Sequence, residues 1–319
     1  MATSVVLGTR PNWANGSLGI PIDTIVRISP GAPGAKLDLA YSRNRVSVSR
    51  VPGAAARPED EFEAGYVYGP EASTADVAAR SLLPLVRKAV DGYNVTIMAF
   101  GATGSGKTLL LEGPSGKERG SSEGSGLVHV AADELFKLLA DKAAGVGSQM
   151  AERRRLPSAR AYDFFLDCTF CEVYREAVAD VFAAKPGAPR PPLQVYEDVT
   201  DGWAAAGLSS RIARSATELR AAFNAGRLLR DTSKEDVGSV HERSAALFTI
   251  RLAQYSPAAA QGEEDRVLVS KITFVDLPGA ERLAEDPEAL RELLEGTPAE
   301  GDPTSMALNM AKARETGVE

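Results

Sequence analysis

Apolar residues along the chain follow two periods. NVTIMAF (94–100) is nearly all apolar, which predicts a strand buried on both faces of a central sheet. DTIVRI (23–28) and RVSVSRV (45–51) have the β-branched content of shorter strands. YDFFLDCTFCEVY (162–174) reads as a long strand, and ALFTIRLAQY (246–255) with RVLVSKITFVDL (266–277) as a strand pair. Helical spacing marks STADVAARSLLPLVRKAV (73–90), with Ser73 or Thr74 as N-cap and Pro84 predicting a local kink. The same spacing marks LVHVAADELFKLLADK (127–142) and SATELRAAFNAGRLLR (215–230), the latter opening on a capping box from Ser215 to Glu218. Two short helical stretches fall near 287–295 and 304–314. PSGKERGSSEGSG (114–126) predicts a mobile surface loop and KPGAPRPP (185–192) a turn-rich one. No internal repeat or coiled-coil heptad is present.

Composition narrows the class. The 319 residues, 44% hydrophobic and 25% charged, suffice for one large α/β domain. A net charge of −7 argues against a nucleic-acid binder that depends on bulk positive charge. No apolar run is long enough to span a bilayer, and the N-terminus has no secretory pattern. Two cysteines, Cys168 and Cys171, make no disulfide framework, and a reducing cytoplasmic setting fits. As i and i+3 on a strand they face opposite sides, so they read as apolar strand residues rather than metal ligands. His129, on an apolar helix, reads as a packing residue, and His241 as a solvated loop residue.

The chemistry concentrates after the apolar strand. Gly101, Ala102, Thr103, Gly104, Ser105, Gly106, Lys107 and Thr108 form a P-loop pattern, Gly, four residues, then Gly-Lys-Thr. Its glycines let backbone N–H groups turn inward around phosphates. Lys107 brings a point charge to the β- and γ-phosphates, Thr108 offers a hydroxyl to Mg²⁺, and the following helix presents its N-terminus to the anion. Downstream, ITFVDLPGAERL (272–283) is an apolar strand ending in Asp276, the position of the acid that holds Mg²⁺ through water. Gly279 offers an N–H near the γ-phosphate. ATP or ADP with Mg²⁺ is the expected ligand.

These segments, in this order, resemble a kinesin motor domain. The likeness rests on YVYGPEASTADVAARSLLPLVRKAVDGYNVTIMAFGATGSGKTLLLEG (66–113), GLVHVAADELF, CTFCEVYREAVADVF (168–182), ERSAALFTIRL and VDLPGAERL, and covers 24–283. It implies an α/β P-loop NTPase fold, a central β-sheet flanked by helices on both faces, and tubulin or a microtubule-based assembly as partner in the cytoplasmic cytoskeleton, the ciliary axoneme among them. Residues 1–23 then read as an N-terminal extension and 284–319 as a divergent C-terminal segment. The resemblance also implies an adenine-side contact by Arg27 and Pro30, and a link between the two switches through Arg243 and Glu281.

The departures from the family are specific. Ser29 replaces the second arginine of the family's R-x-R-P motif, and Leu109 stands where an aromatic or His packs on the base. Counting back from FTI, His241 and Glu242 stand where the family's switch I carries two serines before its arginine; an alternative register sets HERS against the family's preceding NERS and deletes the core of the motif, and in either register the pair of serines is gone. Pro278 replaces a small residue beside Gly279 and removes one N–H. After Leu283 the family's basic loop is not recognisable, and 195–211 is poor in lysine. These changes predict a weak or inactive motor with a structural role. Two alternatives stay open on sequence: a working ATP-driven motor, and a P-loop ATPase that never meets tubulin.

Overall fold

Every second residue of the strand leading into the P-loop is removed from water. Val95, Ile97 and Ala99 are fully buried while Thr96 and Met98 are half-buried, so one face of this strand carries the core. The strand expected to be buried on both faces is thus fully buried on one and half-buried on the other.

The computed structural model describes residues 2–10, 22–29, 38–49, 61–114, 125–152, 162–174, 176–184, 190–198, 202–232, 244–256 and 266–280. In chain order the strands are β1 (Ala2–Arg10), β2 (Asp23–Ile28), β3 (Asp38–Tyr41), β4 (Arg45–Ser49), β5 (Glu61–Glu63), β6 (Tyr66–Tyr68) and β7 (Asn94–Phe100). They continue as β8 (Asp163–Tyr174), β9 (Ala177–Asp180), β10 (Val195–Asp198), β11 (Gly202–Ala205), β12 (Ser210–Ile212), β13 (Ala245–Ser256) and β14 (Arg266–Asp276). Helices are α1 (Thr74–Val77), α2 (Leu83–Val90), α3 (Lys107–Glu112), α4 (Leu127–Glu152) and α5 (Ala216–Thr232). A nine-stranded sheet runs β12-β8-β13-β14-β7-β1-β2-β6, with β9 paired to β8. β3, β4 and β5 form a small separate sheet, and β10 with β11 a ribbon. Met1–Gly279 is one compact unit and Ala280–Glu319 a second, of which Ala280 alone is described. The helical stretches expected near 287–295 and 304–314 lie outside the described residues.

Register explains the core. Phe170, Phe248, Phe274 and Ile97 are neighbours across β8, β13, β14 and β7, and all four are buried. Phe223 of α5 stacks on Phe170 with ring centroids 5.9 Å apart and meets Phe248 at 4.8 Å. Each such ring is worth roughly 1.5–3 kcal/mol of burial. Leu110 and Leu111 of α3, and Leu135 and Leu139 of α4, join the same cluster. His129 packs edge-on against Phe223 and bonds to Asn224, and burial lowers its pKa. Cys168 is buried in the core, whereas Cys171 is half-buried on the other face of β8. Burial pushes their thiols up to about 12 and about 11, so neither is a reactive thiolate.

Helix 73–90 is not simply kinked. Ser73 caps α1 in a capping box with Asp76, and Ala78–Leu82 then form a π-turn before α2 restarts with Pro84 in its first turn. The wider turn spares the ring the clash and lost bond that proline brings to a helix interior. α5 differs at its start too. Ser215 Oγ accepts the Glu218 N–H at 3.1 Å as expected, but the Glu218 carboxylate reaches back to the Arg214 N–H instead.

The N-terminal stretch, read as an extension ahead of the core, contributes a strand inside the sheet. β1 lies antiparallel between β2 and β7, from Ala2↔Ile28 on one side to Arg10↔Asn94 on the other. It joins the P-loop strand to the strand that carries Arg27. Removing it strips backbone partners from both neighbours at once. At about 1 kcal/mol net per ladder hydrogen bond, the loss is several kcal/mol of a total near 5–15. Deletion of residues 2–10 is expected to lower the melting temperature by more than about 10 °C or abolish a cooperative transition in calorimetry. A transition within about 2 °C of the parent's would show that β1 is dispensable.

Candidate functional site

The site forms at the carboxyl ends of two adjacent parallel strands, β7 and β14, where Asp276 pairs in register with Ala99. This is where open α/β sheets place ligands. The chain leaves β7 through Gly101 and turns back over itself. Gly104 (φ 72) and Gly106 (φ 91) take left-handed conformations. A Cβ would meet nothing within 4 Å at Gly104, so backbone conformation rather than crowding selects glycine there. Gly106 caps α3. This helix has six residues, so the loop's own N–H groups and Lys107, rather than a long helix dipole, must dominate anion binding.

Lys107 is buried and donates to the carbonyls of Gly101 and Ala102 at 2.7 and 2.8 Å, so it holds the loop's shape from inside. Ser29, at the end of β2, donates to the Ser105 carbonyl at 2.7 Å. Ser29 therefore ties β2 to the P-loop. Arg27 donates to the Ala72 carbonyl at 3.2 Å, and burial lowers its pKa. Leu109 is exposed beside the exposed Thr108. Pro30, His241, Glu242, Arg243 and Glu281 lie outside the described residues.

Thr108 and Asp276, far apart in sequence, meet directly. Thr108 Oγ1 donates to Asp276 Oδ2 at 2.6 Å. Asp276 Oδ1 is buried and has no hydrogen-bond partner among the described residues. A hydroxyl and a carboxylate with one oxygen left to accept make a hard, all-oxygen donor set that fits Mg²⁺ held partly through water. Gly279 follows three residues later, half-buried.

Sequence reading missed what stands behind this pair. α5 turns Arg227 and Arg230 inward. Arg227 donates to the Glu112 carbonyl at 3.1 Å, and its Nε lies 2.6 Å from Glu112 Oε2 in a charge contact rather than an aligned hydrogen bond. Arg230 Nε donates to Glu172 Oε1 at 2.7 Å, and its Nη1 lies 3.6 Å from Glu112 and 3.9 Å from Asp276. Burial would lower the Arg230 pKa, but Glu172, Glu112 and Asp276 outweigh it and hold the guanidinium above its ordinary value. The available signal was spacing: Leu219, Phe223, Arg227 and Arg230 fall on one helical face.

The kinesin motor domain family matches residues 34–299, most of the chain. The chain belongs to the kinesin motor domain family. It is 26% identical over 269 residues to the chromosome-associated kinesin KIF4 of Xenopus laevis, covering 83% of this chain and 20% of that one. It is 27% identical over 290 residues to the kinesin-like protein KIF21A of Homo sapiens, covering 83% and 17%. To the kinesin-like protein KIF14 of Mus musculus it is 29% identical over 240 residues, covering 74% and 13%. The chain thus spans about a fifth or less of these relatives' lengths. A solved structure of a fast kinesin shares the fold, with a TM-score of 0.65 at 19% identity, covering 88% of this chain and 69% of that one. The kinesin match runs past Leu283, where the resemblance in sequence motifs stops, and begins after Arg27, which the motif comparison includes. β1 lies ahead of the matched span altogether.

Proposed function

We propose that this kinesin-family chain binds ATP and ADP with Mg²⁺ and attaches to microtubules or a microtubule-based assembly in the cytoskeleton, as a slow or inactive motor with a structural role. The observation that carries the nucleotide reading is the 2.6 Å contact between Thr108 and Asp276 beside a left-handed glycine loop. Thr108 and Asp276 would hold the cation, Asp276 through water. When bound, Mg²⁺ neutralises charge on the β- and γ-phosphate oxygens. The chain's own groups do the rest. The loop amides bind phosphate oxygens, Lys107 adds positive charge, and Ser29 keeps the loop in place. Arg27 and Leu109 offer a stacking and an apolar contact to the base, neither of which depends on directed hydrogen bonds.

The proposal of slow turnover is supported by residue chemistry in the switches. His241 and Glu242 stand where the family has serine hydroxyls, and Pro278 restricts the backbone next to Gly279. The partner reading is supported by family membership. The low lysine content of 195–211, which includes the ribbon β10–β11, supports weak attachment to acidic tubulin tails.

Calorimetry with Mg-ADP and co-sedimentation with polymerised tubulin test both halves. The expected outcome is saturable nucleotide binding together with weak, salt-sensitive sedimentation that changes little between ATP, ADP and no nucleotide. Nucleotide binding without any sedimentation would replace the microtubule partner with a different one.

A further inference from the structure

Glu172 lies on β8, outside the P-loop, the Asp276 strand end and both switches. It is 4% exposed, and its two oxygens face different partners. Oε1 accepts Arg230 Nε at 2.7 Å and the Ser244 hydroxyl at 3.0 Å, whereas Oε2 lies 2.7 Å from Arg190. Ser244, just before β13, is itself buried. Arg230 turns its other side toward Asp276, the carboxylate that Thr108 already contacts.

Resting on the nucleotide reading, we infer that Glu172 is a positioning residue of that site. It anchors Arg230 at a distance from Asp276 and ties the segment entering β13 to the same buried charge cluster. The geometry gives the reason. The hydrogen bond from Nε fixes the plane of the guanidinium, which leaves Nη1 3.9 Å from Asp276 Oδ2, longer than a charge-assisted hydrogen bond of about 2.8 Å. A buried guanidinium released from its anchor moves to a carboxylate that can satisfy it, because an unpaired buried charge is costly. Glu112, 3.6 Å away, is already held by Arg227 at 2.6 Å, which leaves Asp276 at 3.9 Å. Asp276 is within reach. A direct Arg230–Asp276 pair competes with Thr108, and with the cation's water, for the same carboxylate. Glu172 therefore keeps Asp276 available to Mg²⁺.

The test is the Mg²⁺ dependence of ADP affinity, measured by calorimetry on the full chain in Mg²⁺ and in EDTA. Glu172→Gln keeps an oxygen for Ser244 but removes the charge that holds Arg230. Its Mg²⁺/EDTA affinity ratio is expected to fall by about tenfold or more, with the EDTA affinity changed less than about threefold. Arg190→Gln breaks the contact on the other oxygen and leaves Arg230 anchored, so its ratio is expected to match the parent's. A purely structural role predicts that both variants behave alike, and either that outcome or an unchanged ratio in Glu172→Gln overturns the inference. If Glu172→Gln does not fold, Arg230→Lys serves instead. Lysine keeps the charge beside Glu172 but has no second nitrogen to turn toward Asp276, so Asp276 stays available and the ratio is expected to be no lower than the parent's, whereas a tenfold fall overturns the inference. A parent chain that binds no ADP in either buffer defeats the nucleotide reading itself, a result distinct from loss of Mg²⁺ dependence alone.

Discussion

Replacing Lys107 by alanine is expected to weaken Mg-ADP binding by about two to three orders of magnitude. Two effects combine. A charge-assisted contact to phosphate is lost, and truncating one partner of a buried charged interaction costs about 2–5 kcal/mol. Each 1.4 kcal/mol is about a factor of ten. The loop also loses its internal brace, since Lys107 joins the carbonyls of Gly101 and Ala102. Calorimetry reads the affinity directly, and thermal melting gives an independent measure. Ligand at about a hundred times its Kd stabilises a protein by about 2.7 kcal/mol. That corresponds to a rise of about 4 °C for a chain of this size. The parent is expected to show this rise and Lys107→Ala to lose it while still melting cooperatively. An alanine variant that keeps parental affinity would remove the P-loop from the function.

The double substitution His241→Ser with Glu242→Ser is expected to raise ATP turnover about 10²–10³-fold over the parent, the range for restoring one well-placed transition-state donor. Phosphoryl transfer depends on positioning and on charge stabilisation around the γ-phosphate. His241 and Glu242 provide no hydroxyl, and a carboxylate about 4 Å from a phosphate oxygen is unfavourable by about 4 kcal/mol at an effective dielectric of 20. The two terms overlap, so their product is an upper bound. Pro278 stays in the double variant and still restrains the second switch, which predicts a gain below that bound. Steady-state phosphate release, with and without polymerised tubulin, reads the effect. The parent is expected to turn over slowly with no stimulation. Strong stimulation of the unmodified chain would show a working motor and overturn the structural role.

Local chemistry carried much of this protein in plain view. The apolar run of β7, the glycines before Lys107, and the strand ending in Asp276 specify short-range conformations through sterics and burial, so they were legible one segment at a time. The long strands β8, β13 and β14 were legible for the same reason. What depends on partners distant in sequence was not. β1 takes its place only because β2 and β7 supply backbone partners on either side, and nothing in ATSVVLGTR announces that. The short strands β3, β5, β9 and β12 are equally a product of pairing rather than of their own three or four residues. Helical spacing marked α5 as a helix, but only packing made Arg227 and Arg230 ion-pair partners of Glu112 and Glu172. Residue type identified Thr108 and Asp276 as oxygen donors. Their 2.6 Å contact, and the guanidinium held beside them, come from the sheet register and from a low-dielectric interior that requires each buried charge to find its opposite.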